Sequence, residues 1–179
     1  MKYLRIHIEH IIEFIQNLEL HNNTLSVTAY REVQQLIIDG YLQPMINGDV
    51  WNLPDYIQLL PTNRLIVVDA VGDPPCSGIL ASVYDGSLLT NSEWKCSTSA
   101  TGNWAGLGFD DSSWPNAVEY GSNGNHSNCD QQQQFIGNVS SNSKWIWTSN
   151  LETNYVVHCR GYLRECYFSQ RRNFKNNTQ

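Results

Sequence analysis

The residues best suited to bind a ligand lie in the irregular stretch between residues 97 and 143. Trp104 stands in the sequence Gly102-Asn103-Trp104-Ala105-Gly106, where small neighbours flank a flat aromatic ring. Such a ring can stack on the apolar face of a sugar, and nearby amide and hydroxyl groups can supply hydrogen bonds. The sequence therefore predicts a ligand-binding set of Asn103, Trp104, Tyr120 and Asn123. The alternative is that Trp104 forms a structural lid over the domain.

Asp110 and Asp111 are the carboxylates best placed to hold a metal ion. Calcium needs about six to eight oxygen ligands, whereas two adjacent carboxylates more often accept backbone N–H groups in turns. We therefore predict no certain cofactor and keep Ca²⁺ as a possible one. The sequence has no Gly-x-Ser-x-Gly elbow and no phosphate-binding glycine loop, so we expect a non-catalytic protein.

The cysteines and glycosylation motifs favour a secreted or cell-surface protein. None of the five cysteines forms a Cys-x-x-Cys pair, which argues against zinc and thioredoxin-type sites,. The count favours an oxidising compartment, with one or two disulfides and one cysteine left over. Asn-x-Ser/Thr motifs predict glycosylation at Asn22, Asn125, Asn138 and Asn176,.

Charge and hydropathy argue against two classes of partner. The net charge of −6 and only 11 Lys+Arg argue against nucleic acid,, and no apolar run is long enough for membrane insertion. We expect glycans or extracellular proteins as partners, with self-assembly possible. Charged residues interrupt the apolar pattern of residues 1–20, which therefore lacks the core of a signal peptide. We expect the natural protein to begin upstream of Met1.

Short alternating stretches separated by turn signals predict an all-β fold. Leu65 to Val71 is a near-continuous apolar run, as in a strand covered on both faces, and residues 156–163 alternate clearly,. Residues 1–21 fit either a strand or a helix, because apolar residues recur at helical spacing after an alternating start. We predict this N-terminal strand or helix appendage (1–21), a β-sandwich (22–168) and a polar C-terminal tail (169–179).

Residues 108–115 combine two apolar anchors, Phe109 and Trp114, with Asp and Ser residues that favour tight turns,. Together with Trp94-Lys95-Cys96, Lys144-Trp145-Ile146-Trp147 and His158-Cys159-Arg160, this stretch resembles the galactose-binding-domain-like β-sandwiches. The resemblance implies a jelly-roll sandwich that is usually non-catalytic, often binds carbohydrate and is sometimes stabilised by calcium. It also implies that Cys96 bonds to Cys159. A second bridge among Cys76, Cys129 and Cys166 stays open.

Two functional hypotheses follow. The first is an extracellular lectin-like module that binds glycans through loops at one end of the sandwich. The second is a structural or adhesive module of an extracellular assembly or filament, with no small-molecule ligand. The odd number of cysteines, the amphipathic start and the glutamine run at 131–134 favour protein contacts.

Overall fold

A computed structural model describes residues 7–10, 23–129 and 134–164 of the 179-residue chain. Residues 7–10 form one helical turn. Within the described ranges the remainder is built from eleven strands: β1 (Thr24–Ala29), β2 (Glu32–Ile38), β3 (Tyr41–Gln43), β4 (Asp55–Gln58), β5 (Leu65–Val71), β6 (Ile79–Val83), β7 (Lys95–Ser97), β8 (Val118–Ser122), β9 (Asn125–His126), β10 (Lys144–Trp147) and β11 (Val156–Tyr162).

The strands form two packed sheets in which each described pair is antiparallel. One sheet has six strands in the order β4-β1-β6-β10-β8-β9, and the other has five in the order β3-β2-β5-β11-β7. The predicted all-β sandwich is confirmed. Several predictions fall outside the described residues: most of the 1–21 appendage, the 169–179 tail, Cys166, and the motifs at Asn22 and Asn176.

The main core lies between the sheets and follows the strand alternation. On β5, Ile66, Val68 and Ala70 point into this core and are fully buried. Leu65 and Val67 point to the other face of the same sheet and are also fully buried. The near-continuous apolar run in the sequence is explained because β5 is covered on both faces.

Two disulfides fasten the sandwich. Cys96 on β7 and Cys159 on β11 are direct cross-strand partners with Cα atoms 4.2 Å apart, and they are bonded as the resemblance implied. The second disulfide joins Cys76 to Cys129, which settles the pairing that the sequence left open. Each closes a loop of 53 or 63 residues, which in the chain-entropy model stabilises the fold by about 4 kcal/mol.

The irregular middle of the chain forms two loops, and each packs on the outer face of one sheet. The Trp104 loop (residues 98–115) lies over the five-stranded sheet, where Trp104 and Ala105 pack against Ile37, Leu65 and Val67. The Asn123 loop (123–129 and 134–143 as described) covers the six-stranded sheet, where Ile136 and Val139 pack against Leu80 and Trp145. Apolar side chains on both outer faces are thereby removed from water.

Candidate ligand-binding site

Arg160 holds the Trp104 loop on the sheet. This residue lies on the outward face of β11, yet it is 0% exposed. Its Nε donates to Asp111 Oδ2 (2.7 Å), and its Nη1 donates to the carbonyl oxygens of Trp104 and Gly106. The guanidinium also lies 5.2 Å from the centre of the Phe109 ring. The Arg160 side chain therefore neutralises the Asp111 carboxylate and donates to two carbonyl oxygens of a loop that has no strand ladder of its own.

Trp104 is half-buried and packs on other side chains. Its ring stacks with that of Trp114, with centroids 6.1 Å apart, and lies 4.8 Å from the ring of His158. His158 is in turn bonded through Nδ1 to Asp69. Asn103 is exposed beside it. These contacts are those of the structural lid that the sequence offered as the alternative to a sugar-stacking ring.

Tyr120 and Asn123 are associated with the other sheet. The Tyr120 hydroxyl donates to Thr148 O at 2.7 Å. Asn123 is buried; its amide donates to Ile136 O and Val139 O, and its side-chain oxygen accepts from Ile136 N. The amide of Asn123 thus holds the Asn123 loop in place. The structure brings Asn103 and Trp104 together, but it places Tyr120 and Asn123 with a different loop, so the four do not line one site.

The structure also describes the surroundings of the predicted glycosylation residues and of the candidate metal-binding aspartates. Asn125 and Asn138 are both exposed, and Asn138 donates to the Tyr56 hydroxyl at 3.2 Å. Asp110 accepts from Ser112 N in a turn, and hydrogen bonding from the Ser112 side chain, with a smaller effect of its backbone N–H, lowers the pKa of Asp110. Asp111 accepts from Arg160 and Tyr162. Among the described residues, no group of three or more His, Cys, Asp and Glu is arranged to hold a metal ion.

A pocket opens at one end of the sandwich, between the 86–94 segment and the end of β11. Its volume is about 240 Å³, which corresponds to roughly eight water molecules at liquid density. Trp94 forms a buried wall, and its Nε1 donates to Leu89 O. Tyr162 forms another wall and is 47% exposed. This space is large enough for one ring-sized ligand.

Three polar side chains converge on this pocket. Arg164 donates from Nη2 to Glu93 Oε2 at 2.7 Å, and Asn91 donates to the same oxygen at 3.4 Å. The hydrogen bond and charge of Arg164, with a smaller effect of Asn91, lower the pKa of Glu93, which stays ionised. Glu93 and Arg164 are both mostly exposed, so each can also bond a ligand.

Tyr162 connects the pocket to the Trp104 loop. Its hydroxyl accepts from Arg160 Nη2 (2.8 Å) and donates to Asp111 Oδ2 (2.7 Å). Burial raises the pKa of Tyr162, and the bond to Asp111 raises it further, so the hydroxyl remains a donor. Tyr162, which lines the pocket, is therefore fixed in position by the same arginine that anchors the loop, and the guanidinium of Arg160 lies 5.7 Å from the centre of the Tyr162 ring.

The pocket residues were missed from the sequence because they are far apart along the chain. The antiparallel register that pairs Cys96 with Cys159 also pairs Lys95 with Arg160. Continuing this register outward places Trp94 opposite Gly161, and Glu93 opposite Tyr162. A Cβ on Gly161 would lie 2.2 Å from Trp94 Cε2, so glycine leaves room for that ring. The predicted disulfide thus contained the signal for the pocket.

These features define an all-β sandwich of two antiparallel sheets, with two disulfides that are suggestive of an oxidising environment,. No protein-family model, curated protein or solved structure matches the chain. In the described part of the chain, no helix has the length and apolar character needed to span a bilayer.

Proposed function

We propose that this chain is a non-catalytic, extracellular recognition module that binds a terminal sugar residue of a glycan in the pocket at the end of the sandwich. The observation that carries this proposal is the convergence of Asn91, Glu93, Tyr162 and Arg164 around one ring-sized space. The resemblance to galactose-binding-domain-like modules supports the same function. The site differs from the set predicted around Trp104.

The chemistry of the pocket suits hydroxyl groups. A hydroxyl can donate to the Glu93 carboxylate and accept from Arg164 or Asn91, since it has both a proton and lone pairs. The Tyr162 ring offers an apolar face for the C–H side of a sugar. Because Glu93 and Arg164 neutralise each other, a neutral ligand keeps the local charge balanced, whereas a charged one would break the pair. A neutral hexose or a related sugar is the ligand class that fits best.

Glycan-array screening of the oxidised protein, followed by calorimetric titration of each hit, tests this proposal. We expect Tyr162→Ala to weaken binding by about fivefold, because packing of the ring on a sugar contributes on the order of 1 kcal/mol. Tyr162→Phe retains the ring and should retain most of the affinity. Asn91→Ala should weaken binding less, by one hydrogen bond.

Matched controls separate the pocket from the surface in general. Tyr84→Ala removes a ring that is 72% exposed and lies outside the pocket, so it should leave binding unchanged. Asn103→Ala and Trp104→Phe test the set predicted from the sequence. Loss of binding with these two, but not with Tyr162→Ala, would move the site to the Trp104 loop. Absence of any glycan ligand would contradict the proposal.

The second candidate, a structural or adhesive module, is favoured by a different observation. One side of the sandwich exposes a row of large apolar side chains, which is typical of a surface that contacts protein,. Such a role does not require the pocket.

A further inference from the structure

Large apolar side chains are concentrated along one side of the sandwich. β3 ends the five-stranded sheet and β4 ends the six-stranded sheet. The loop between them closes this side, because Gly48 O accepts from Val33 N on β2 and Trp51 O accepts from Thr28 on β1. We call this surface the apolar edge; its exposed members are Tyr41 (76%), Leu42 (66%), Ile46 (87%), Val50 (39%), Leu53 (48%) and Leu60 (66%).

The apolar edge lacks the charges that usually protect free strands. Natural sheet edges are commonly guarded by lysine, which discourages pairing with another chain. Residues 32–63 contain no lysine or arginine. Two of their aspartates are occupied internally: Asp39 accepts from Arg64 N and Leu65 N, and Asp55 accepts from Ile46 N and Asn47 N. β3 and β4 therefore carry no free charge, and the exposed carboxylate in this range is that of Asp49, in the loop between them.

The size of the apolar edge is that of a protein interface. The exposed fractions together equal nearly four fully exposed side chains, or roughly 600 Å² at about 150 Å² each, the lower bound for aromatic side chains, because five of the six are smaller aliphatic residues. The largest apolar patch on a monomer is typically about 300–600 Å². A standard interface buries about 800 Å² on each partner. The apolar edge thus reaches the upper end of the first range and approaches the area that a stable dimer requires.

We propose that the apolar edge is the contact surface between two copies of this chain. A surface with apolar side chains, unpaired strand backbone and no basic residues complements itself, which is the requirement of a two-fold symmetric contact. Pairing buries the six side chains and gives edge backbone groups a partner. The proposal does not depend on sugar binding, since the surface shares no residue with the pocket.

Sedimentation velocity on the full oxidised chain, over a wide concentration range, tests the proposal. We expect a reversible dimer whose dissociation constant rises by more than about tenfold in Ile46→Lys and in Leu53→Lys, because each places a charge in a desolvated contact. Leu107→Lys is the matched control: Leu107 is 45% exposed, lies on the Trp104 loop and should leave the dimer unchanged. All three positions are exposed, so the variants should fold.

Three outcomes overturn the proposal. The first is a protein that is monomeric at every concentration, and the second is a dimer that persists in both edge variants or weakens equally with Leu107→Lys. The third is a dimer that forms only after residues 1–20 are removed, which would show that the N-terminal segment covers the edge instead. Sugar titration of the same variants should be unaffected, so failure of the dimer is distinct from failure of the pocket.

Discussion

Side chains on the outward face of β11 are expected to be partly exposed. Arg160 lies on this face and carries a charge, yet it is fully buried. A buried guanidinium is tolerated only where its donors are satisfied. Here Nε, Nη1 and Nη2 reach Asp111, two loop carbonyls and the Tyr162 hydroxyl. The residue therefore acts as the fastening of an otherwise irregular loop, and its planar set of donors cannot be replaced by lysine.

Replacing Arg160 should release the Trp104 loop. We expect Arg160→Met to lower the free energy of unfolding by about 3 kcal/mol, because it leaves the loop carbonyls without their donor and the Asp111 carboxylate without its opposite charge, with only the Tyr162 hydroxyl as a donor,. Urea unfolding with tryptophan fluorescence measures this change. Adding Asp111→Asn removes the stranded charge, so the double variant should be more stable than the two single losses predict.

A second arginine provides the control for this prediction. Arg164 also pairs with a carboxylate, Glu93, but both side chains are about two-thirds exposed. Arg164→Met should therefore change the free energy of unfolding by less than about 1 kcal/mol. Equal effects of the two substitutions would contradict the role assigned to Arg160.

At the scale of strands and loops, the sequence predicted the elements better than their contacts. A near-continuous apolar run identified β5, and alternation identified β11. Asp39-Gly40 forms the turn after β2, where both residues adopt positive φ (50° and 89°),. Such signals are local, because each follows from the backbone and its immediate neighbours. The alternation predicted for residues 156–163 is confirmed, because successive side chains of β11 lie on opposite faces of the sheet,.

The loops could not be placed in the same way. Trp104 and Asn123 were identified as ligand candidates because nothing nearby in the sequence explains them. Their actual contacts, with His158 and with Ile136 O, depend on how distant segments meet. A polar or aromatic residue in an irregular loop therefore predicts a contact, but the sequence does not distinguish a contact with a ligand from one with the protein itself.

The Asn123 loop contains a histidine that should respond to acid. His126 is buried; Asn128 N donates to its Nδ1 (3.2 Å), so Nε2 carries the proton and donates to Ser77 O (3.1 Å). Protonating Nδ1 would oppose the Asn128 N–H group. Burial lowers the pKa of His126 below its usual value of 6.5, so the folded protein favours the neutral ring.

The lowered pKa of His126 predicts how the stability of the protein should change with pH. Above pH 6.5 His126 is neutral whether the chain is folded or unfolded, and its contribution to stability is complete. As the pH falls below 6.5, the unfolded chain binds a proton that the folded protein resists. Stability then drops by up to about 1.4 kcal/mol per pH unit until the folded pKa is reached. Urea midpoints of wild type and His126→Gln measure it: the wild type should lose more stability on acidification, and parallel curves would contradict the prediction.

At the scale of the whole molecule, the two disulfides stabilise different parts of the architecture. Cys96–Cys159 lies in the main core between β7 and β11. Cys76–Cys129 joins the segment after β5 to the Asn123 loop, where the two-residue strand β9 pairs with β8 and side-chain hydrogen bonds hold the segment around Ile136 and Val139. Their sequence separations of 63 and 53 residues make their loop-closure contributions equal to within about 0.2 kcal/mol.

The two disulfides contribute almost the same loop-closure entropy but lie in different surroundings. Removing each one should therefore have a different local effect. Replacing Cys76 and Cys129 by alanine should increase hydrogen exchange at Ile136 and Asn128 well before global unfolding, because the Asn123 loop can then open by itself. Replacing Cys96 and Cys159 should leave those amides protected up to the global transition, while lowering that transition and creating a core cavity. Exchange measured by mass spectrometry at several denaturant concentrations separates the two patterns. If the same amides exchange together in both variants, the loop and the sandwich unfold as one cooperative unit. The prediction that each disulfide stabilises a different part of the molecule would then be wrong.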